Sequence, residues 1–225
     1  MKRSLLFVAL LALSCAVSAH DHDGPGRDID KVNGSITASA GEAYGDLSTV
    51  NGGIDLENGA RAGSVETVNG GIEAADNVAA RSVSTVNGAI RFGKQARIDG
   101  DVETVNGGIF IDRGGNVRED VTTVNGAIGL VDTDLGGGIE TVNGDVTVGV
   151  GSHVKGGIRV EKPTGNGMQW GKQRIPRIVI GPGAVVDGAL VFERDVVLYV
   201  HNTARIGSVR GATPKSYNTA TPPKD

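Results

Sequence analysis

The chain has 225 residues, with 22 Lys and Arg against 26 Asp and Glu, a net charge of −4, and only 4% aromatic residues. Acids and bases are interspersed, which argues against nucleic acid or anionic lipid as the principal partner. Glycine contributes 36 residues, far above its ordinary share of roughly 7%. At regular spacing, such a composition indicates repetition rather than disorder.

The first 19 residues read as a signal peptide: Lys2 and Arg3 form a positive start, Leu5 to Leu13 an apolar run, and Val17-Ser18-Ala19 a small-residue cleavage site. That run is too short to cross a bilayer, and no later stretch approaches the required length, so no transmembrane segment is expected. The single cysteine, Cys15, lies inside the leader, and the exported chain would carry no disulfide. Without Lys2 and Arg3 the basic residues fall from 22 to 20 against 26 acidic ones, a net charge of −6. Residues 20–28 read as a flexible, charged lead-in. Cleavage after Ala19 would leave a free amine two residues before His22. His20 and His22 would then form a candidate metal site for Cu(II) or Ni(II) through square-planar nitrogen ligation, with a plain polar tail as the alternative.

From Ile29 the tripeptide Val-Asn-Gly recurs with Val at 32, 50, 68, 86, 105, 124 and 142. Counting Val as zero, an aliphatic residue falls at +4 and usually an apolar one at +6. Apolar or small residues follow near +10 and +12 (Ala60 and Ala62, Val78 and Ala80, Ala96 and Ile98), and another aliphatic stands at −3. Residues two apart on one side of the chain define short strands. Three such strands fit into each 18–19-residue period, giving an all-β fold: a parallel β-helix, or β-solenoid, over residues 29–210. Several glycines per repeat and no apolar run at helix spacing exclude a helical solenoid.

Asn-Gly marks a corner, because both residues enter positive φ cheaply. Stacked about 4.8 Å apart, Asn33, Asn51, Asn69, Asn87, Asn106, Asn125 and Asn143 would form a ladder of mutually hydrogen-bonded amides. Two residues before each Val stand Asp30, Ser48, Glu66, Ser84, Glu103, Thr122 and Glu140, acid and hydroxyl in strict alternation. Stacked acids would repel, and alternation roughly doubles their separation.

After Val148 the repeat loosens. Residues 161–175, with the single Trp170, read as a loop or broken coil. "RIVIGPGAVVDGALVFERDVVLYV" resumes the coils, and residues 211–225 have the composition of a disordered tail.

Chemistry is hard to find in this pattern. His153 and His201 stand alone, no nucleophile–base arrangement or phosphate loop is present, and the carboxylates are spread one per coil rather than clustered. Trp170 and Tyr199 are too few for a sugar platform. No catalytic residue and no cofactor is expected. The Thr column at 49, 67, 85, 104, 123 and 141 suits an ice-ordering face, but Thr is also ordinary strand chemistry.

On "TVNGGI" at this spacing, residues 29–150 resemble the bacterial adhesin-type β-strand repeat family. The resemblance implies a single-stranded, right-handed β-helix. A left-handed hexapeptide coil also uses 18 residues, and the register Val50, Leu56, Ala62, Val68, Ala74, Ala80, Val86 fits it; the 19-residue coils and Asn-Gly corners favour the right-handed form. "IGPGAVVDGALVF" is similar to coils of bactofilins, polymer-forming β-helical proteins. The expectation is a non-enzymatic exported envelope protein, adhesin-like or a scaffold, meeting an unknown surface, glycan or protein ligand. A self-assembling filament former with end-to-end association is the alternative. Behind these stand a carbohydrate-active β-helix enzyme and an ice-binding protein.

Overall fold

The computed structural model describes residues 26–163 and 174–223. These residues contain strands and turns and no helix. Strand pairs with strand in parallel throughout, in one sheet of sixteen strands and one of ten. The second sheet takes one strand from each coil, so the chain makes about ten coils of about 18 residues, and nine steps of about 4.8 Å give a stack about 43 Å tall.

Each coil has three strand positions. Ile54–Leu56 and its equivalents build the ten-stranded sheet. The other two positions share the larger sheet. They are fused into single long strands in early coils (Tyr44–Asn51, Arg61–Asn69, Ala79–Asn87) and separate in later ones (Arg97–Ile98, then Val102–Asn106). Like residues pair with like across coils: Leu47 with Val65, Thr49 with Thr67, Asn51 with Asn69.

The alternation read from the sequence fixes the core. Ile36, Ile54, Ile72, Ile90, Ile109 and Ile128 stack as one buried column, and Leu47, Val65, Val83, Val102, Val121 and Ile139 as another, all within one continuous hydrophobic cluster. Parity places the motif valines outside: Val50, Val68 and Val86 follow buried Thr residues and are only half-buried. The six-residue register through those valines therefore mixes half-buried Val50, Ala62, Val68 and Val86 with buried Leu56, Ala74 and Ala80, and does not mark a single inward face.

The Val-Asn-Gly corner turns for a reason other than the one expected. None of the seven ladder asparagines has positive φ, and of the glycines that follow them only Gly34 does, at 106°. Glycine is needed there because successive corners touch. A Cβ on Gly70 would lie 2.0 Å from Gly52 O, and one on Gly88, Gly107 or Gly144 would lie 1.8 Å from the corner carbonyl one coil below. The left-handed residue sits at a different corner, after the ten-stranded sheet. Gly41, Gly59, Asn77, Gln95, Gly114, Asp132, Gly151 and Gly183 occupy it in successive coils, with φ between 45° and 74°. A non-glycine residue is strained in that conformation.

Both ends depart from expectation. The first strand, Arg27–Asn33, begins inside the expected lead-in. The tail from 211 is not disordered over its described part. Lys215–Tyr217 adds the tenth strand, pairing Tyr199 with Lys215 and His201 with Tyr217. Tyr217 is 7% exposed and donates its hydroxyl to Ile180 O at 3.2 Å. It meets Tyr199 edge-on with centroids 6.5 Å apart and His201 at 5.0 Å. The burial of one aromatic side chain offsets the ordering of a polar segment whose composition alone argues for disorder. The inner part of the 161–175 segment, Trp170 included, lies outside the described residues.

Two substitutions separate the corners. Gln95→Gly relieves a left-handed non-glycine residue and is expected to raise unfolding free energy by about 1 kcal/mol. Gly88→Ala places a methyl group inside a backbone carbonyl and is expected to lower it by about 2 kcal/mol or more. Urea denaturation of both variants checks the assignment; a harmless Gly88→Ala contradicts it.

Candidate functional site

The repeated polar residues converge on one edge of the coil, at the Val-Asn-Gly corner. There the asparagine column is continuous. Each Nδ2 donates to Oδ1 of the asparagine one coil earlier, from Asn51 to Asn33 through to Asn143 to Asn125, at 2.9–3.0 Å. The ladder joins all seven predicted asparagines. It lies on the exposed side of the corner rather than in the core. Its last member is closed from above, where Arg194 Nη1 donates to Asn143 Oδ1 at 2.6 Å and to Val142 O at 3.0 Å.

Two residues before each asparagine, the Thr column faces inward. Thr49, Thr67, Thr85, Thr104 and Thr123 are at most 4% exposed. Their hydroxyls donate to Gly34 O, Gly52 O, Gly70 O, Gly88 O and Gly107 O at 2.8–3.1 Å. A carbonyl at a tight corner covered by the next coil needs a donor, and the hydroxyl supplies it. The column thus offers no solvent-facing array for ordering water, which removes the feature behind the ice-binding reading. In the first coil Thr is replaced by Lys31, whose Nζ reaches Ser35 O of its own coil at 2.7 Å.

Outside the same strand runs the alternating column, in direct register from Asp30 through Ser48, Glu66, Ser84, Glu103 and Thr122 to Glu140. Ser48 donates to the Asp30 carboxylate. The column ends on Arg159, which lies 3.6 Å from Glu140 and 3.1 Å from Glu193. Beside it, four acids bind the coil above: Asp28 accepts from Asp46 N, Asp46 from Ser64 N, Asp101 from Asp120 N, and Asp120 from Gly138 N. This is an acidic strip. Burial first, then Asp46, pushes the Glu66 carboxyl above its ordinary 4.5. Burial, with Asp101 and Asp120 behind it, does the same to Glu103. Glu140 is raised by burial and by Glu161, against the pull of Arg159.

The histidines are not alone as the sequence suggested. His153 Nε2 lies 2.7 Å from Asp187 Oδ2, and His201 Nδ1 lies 2.8 Å from Thr203 Oγ1 beneath the Tyr217 ring. Tyr199 is 6% exposed, between Tyr217 and the Arg177 guanidinium 5.0 Å above its ring, and presents no open platform. Arg177 also donates to Pro223 O. His20 and His22 lie outside the described residues. Among the described residues no three His, Cys, Asp or Glu side chains are grouped to hold a metal ion. Sequence reasoning missed Arg194, which meets Asn143 across 51 positions of chain without a repeated signal. Comparison with family models, with curated proteins and with solved structures returns no match to this chain.

The buried hydroxyls and the raised carboxyls each give a test. Thr85→Val keeps the shape but leaves Gly70 O without its donor and is expected to cost about 1–3 kcal/mol, with Thr85→Ser closer to wild type. A carboxyl raised in the folded state takes up protons there before it does in the unfolded chain. Glu66, Glu103 and Glu140 therefore oppose folding most at neutral pH, and less as pH falls toward 4.5. Glu103→Gln is expected to raise the urea midpoint at neutral pH, with the gain shrinking on acidification; a lowered midpoint at neutral pH contradicts this account.

Proposed function

We propose that the protein is a non-enzymatic, exported component of the bacterial envelope, an adhesin-like or structural rod that presents its outer faces to a surface, glycan or protein ligand. The observation that carries this reading is the use made of the repeated side chains. Asn, Thr, corner Gly and the lower acids are committed to holding coil on coil. A catalytic repeat would leave its polar groups turned toward a substrate. What the coil leaves to solvent is a set of long, flat strand faces, which suit extended contact. The leader-like segment of residues 1–19 and the resemblance of "TVNGGI" coils to adhesin-type repeats support export and surface contact.

Filament formation is the second reading. The first strand, Arg27–Asn33, has a neighbouring strand on one side only among the described residues, and such an edge can template another chain. Lys31 works against it. Its position belongs to the inward Thr column, and a charge there disfavours pairing of this edge with another apolar coil.

Cell fractionation with N-terminal sequencing tests the export claim. The mature chain is expected to begin at His20 and to leave the cytoplasm; recovery of only the full-length chain in the cytoplasm overturns it. Light scattering at high concentration separates the readings: a monodisperse monomer supports the rod, and concentration-dependent growth supports the filament.

A further inference from the structure

The chain contains nine Asn-Gly pairs, eight of them among the described residues. This dipeptide is prone to a reaction with itself, because glycine places no Cβ in the way of its own nitrogen. The glycine nitrogen loses its proton to solvent base and bonds to asparagine Cγ. The Cγ–Nδ2 bond breaks and ammonia leaves. Water then opens the cyclic imide at either carbonyl, giving aspartate or isoaspartate. Only water is consumed, and nothing is oxidised or reduced.

For an asparagine inside the ladder, each requirement meets an obstacle. Turning Cγ toward the glycine nitrogen breaks two bonds at Asn87: its Nδ2 bond to Asn69 and the bond its Oδ1 accepts from Asn106, both 3.0 Å. The attacking nitrogen is engaged as well, since Gly70 N donates to Asn87 O and Gly88 N to Asn106 O, each at 3.1 Å. At the upper end Arg194 holds Asn143 Oδ1 while Asn143 Nδ2 holds Asn125.

Two pairs escape the side-chain part of this, although their glycine nitrogens are engaged too: Gly34 N donates to Asn51 O at 2.8 Å and Gly59 N to Asp76 O at 2.9 Å. Asn33 ends the column: its Oδ1 accepts from Asn51, but its Nδ2 has no partner among the described residues. Its strand is exposed and held from one side only among those residues, and terminal coils of a solenoid open first. Asn58 lies outside the column in an exposed turn, where its Oδ1 accepts from Asp76 N at 3.0 Å and its Nδ2 is unbonded.

The products point the same way. A carboxylate at 33 still accepts from Asn51. A carboxylate at 58 would repeat what the next coil already has, because Asp76 Oδ1 accepts from Lys94 N at 2.7 Å. Within the ladder a carboxylate would lose its donor and face the Oδ1 of the asparagine below.

We propose that Asn33 and Asn58 are succinimide-forming modification sites, and that the ladder holds Asn51, Asn69, Asn87, Asn106, Asn125 and Asn143 out of this chemistry. The test is incubation of the folded protein in mildly alkaline buffer made with water enriched in the heavy oxygen isotope, followed by peptide mapping by mass spectrometry. Asn33 and Asn58 are expected to take up label at least about tenfold faster than Asn51, Asn69, Asn87, Asn106, Asn125 or Asn143. Uptake in the ladder at a comparable rate overturns the proposal, as does equal protection of all eight. In Asn87→Ser, whose shorter side chain breaks the column, Asn106 loses its acceptor and is expected to label faster while Asn33 is unchanged. Unchanged protection of Asn106 removes the ladder as the shield. General unfolding of that variant would raise every site together, and the wild-type ranking then decides alone.

Discussion

Successive coils of this protein approach so closely at one corner that the backbone of each rests on the carbonyl of the one beneath. Parallel pairing holds strands about 4.8 Å apart, and the corner must keep that spacing without a side chain between. Glycine at 70, 88, 107 and 126 meets that demand, with an added Cβ falling at 1.8–2.0 Å from the carbonyl below. With this contact fixed, every side chain is stacked over its counterpart in the next coil. Isoleucine piles on isoleucine, and the inner threonines find the corner carbonyls that the strand ladder leaves without a donor.

Stacking of like on like multiplies whatever a residue does well or badly. Neutral amides can both give and accept, so a column of asparagines satisfies itself along its whole length. Carboxylates cannot, and here they alternate with hydroxyls until Arg159 closes the series against Glu140 and Glu193. The spacing relieves the repulsion only in part, for burial and neighbouring acids still raise Glu66, Glu103 and Glu140. The same rule explains the lower end, where Lys31 stands in the threonine column at the point where no coil lies beneath among the described residues.

Much of this was legible in the sequence. The period, the inward aliphatic pairs and the asparagine column follow from local alternation and from one tripeptide repeated at fixed spacing. The left-handed corner was not, because Gly59, Asn77, Gln95 and Asp132 share a backbone conformation and no common letter. The threonines were legible as a column but not as an inward one, since strand parity emerges only once Leu47 and Thr49 are seen on the same side. The tail was misread from composition. Tyr217 anchors it beside the strand pairing of Lys215–Tyr217, through contacts with Tyr199, His201 and Ile180 O that no nearby residue announces.

The contacts around Arg174, Arg177 and Arg194 have an architectural consequence. After Ile158–Val160 the next described strand is Arg177–Ile180, where Val146 pairs with Ile178 in the regular register of the stack. Asp145 accepts from Arg177 N at 2.9 Å at the point of return, and Arg194 reaches Asn143 and Arg174 O together. The return end is thereby pinned to the rod, and the departing end is held where Glu161 N donates to Thr141 O at 2.8 Å. Such a mounting lets the intervening segment lengthen, shorten or change composition over evolutionary time while the stack above and below keeps its register.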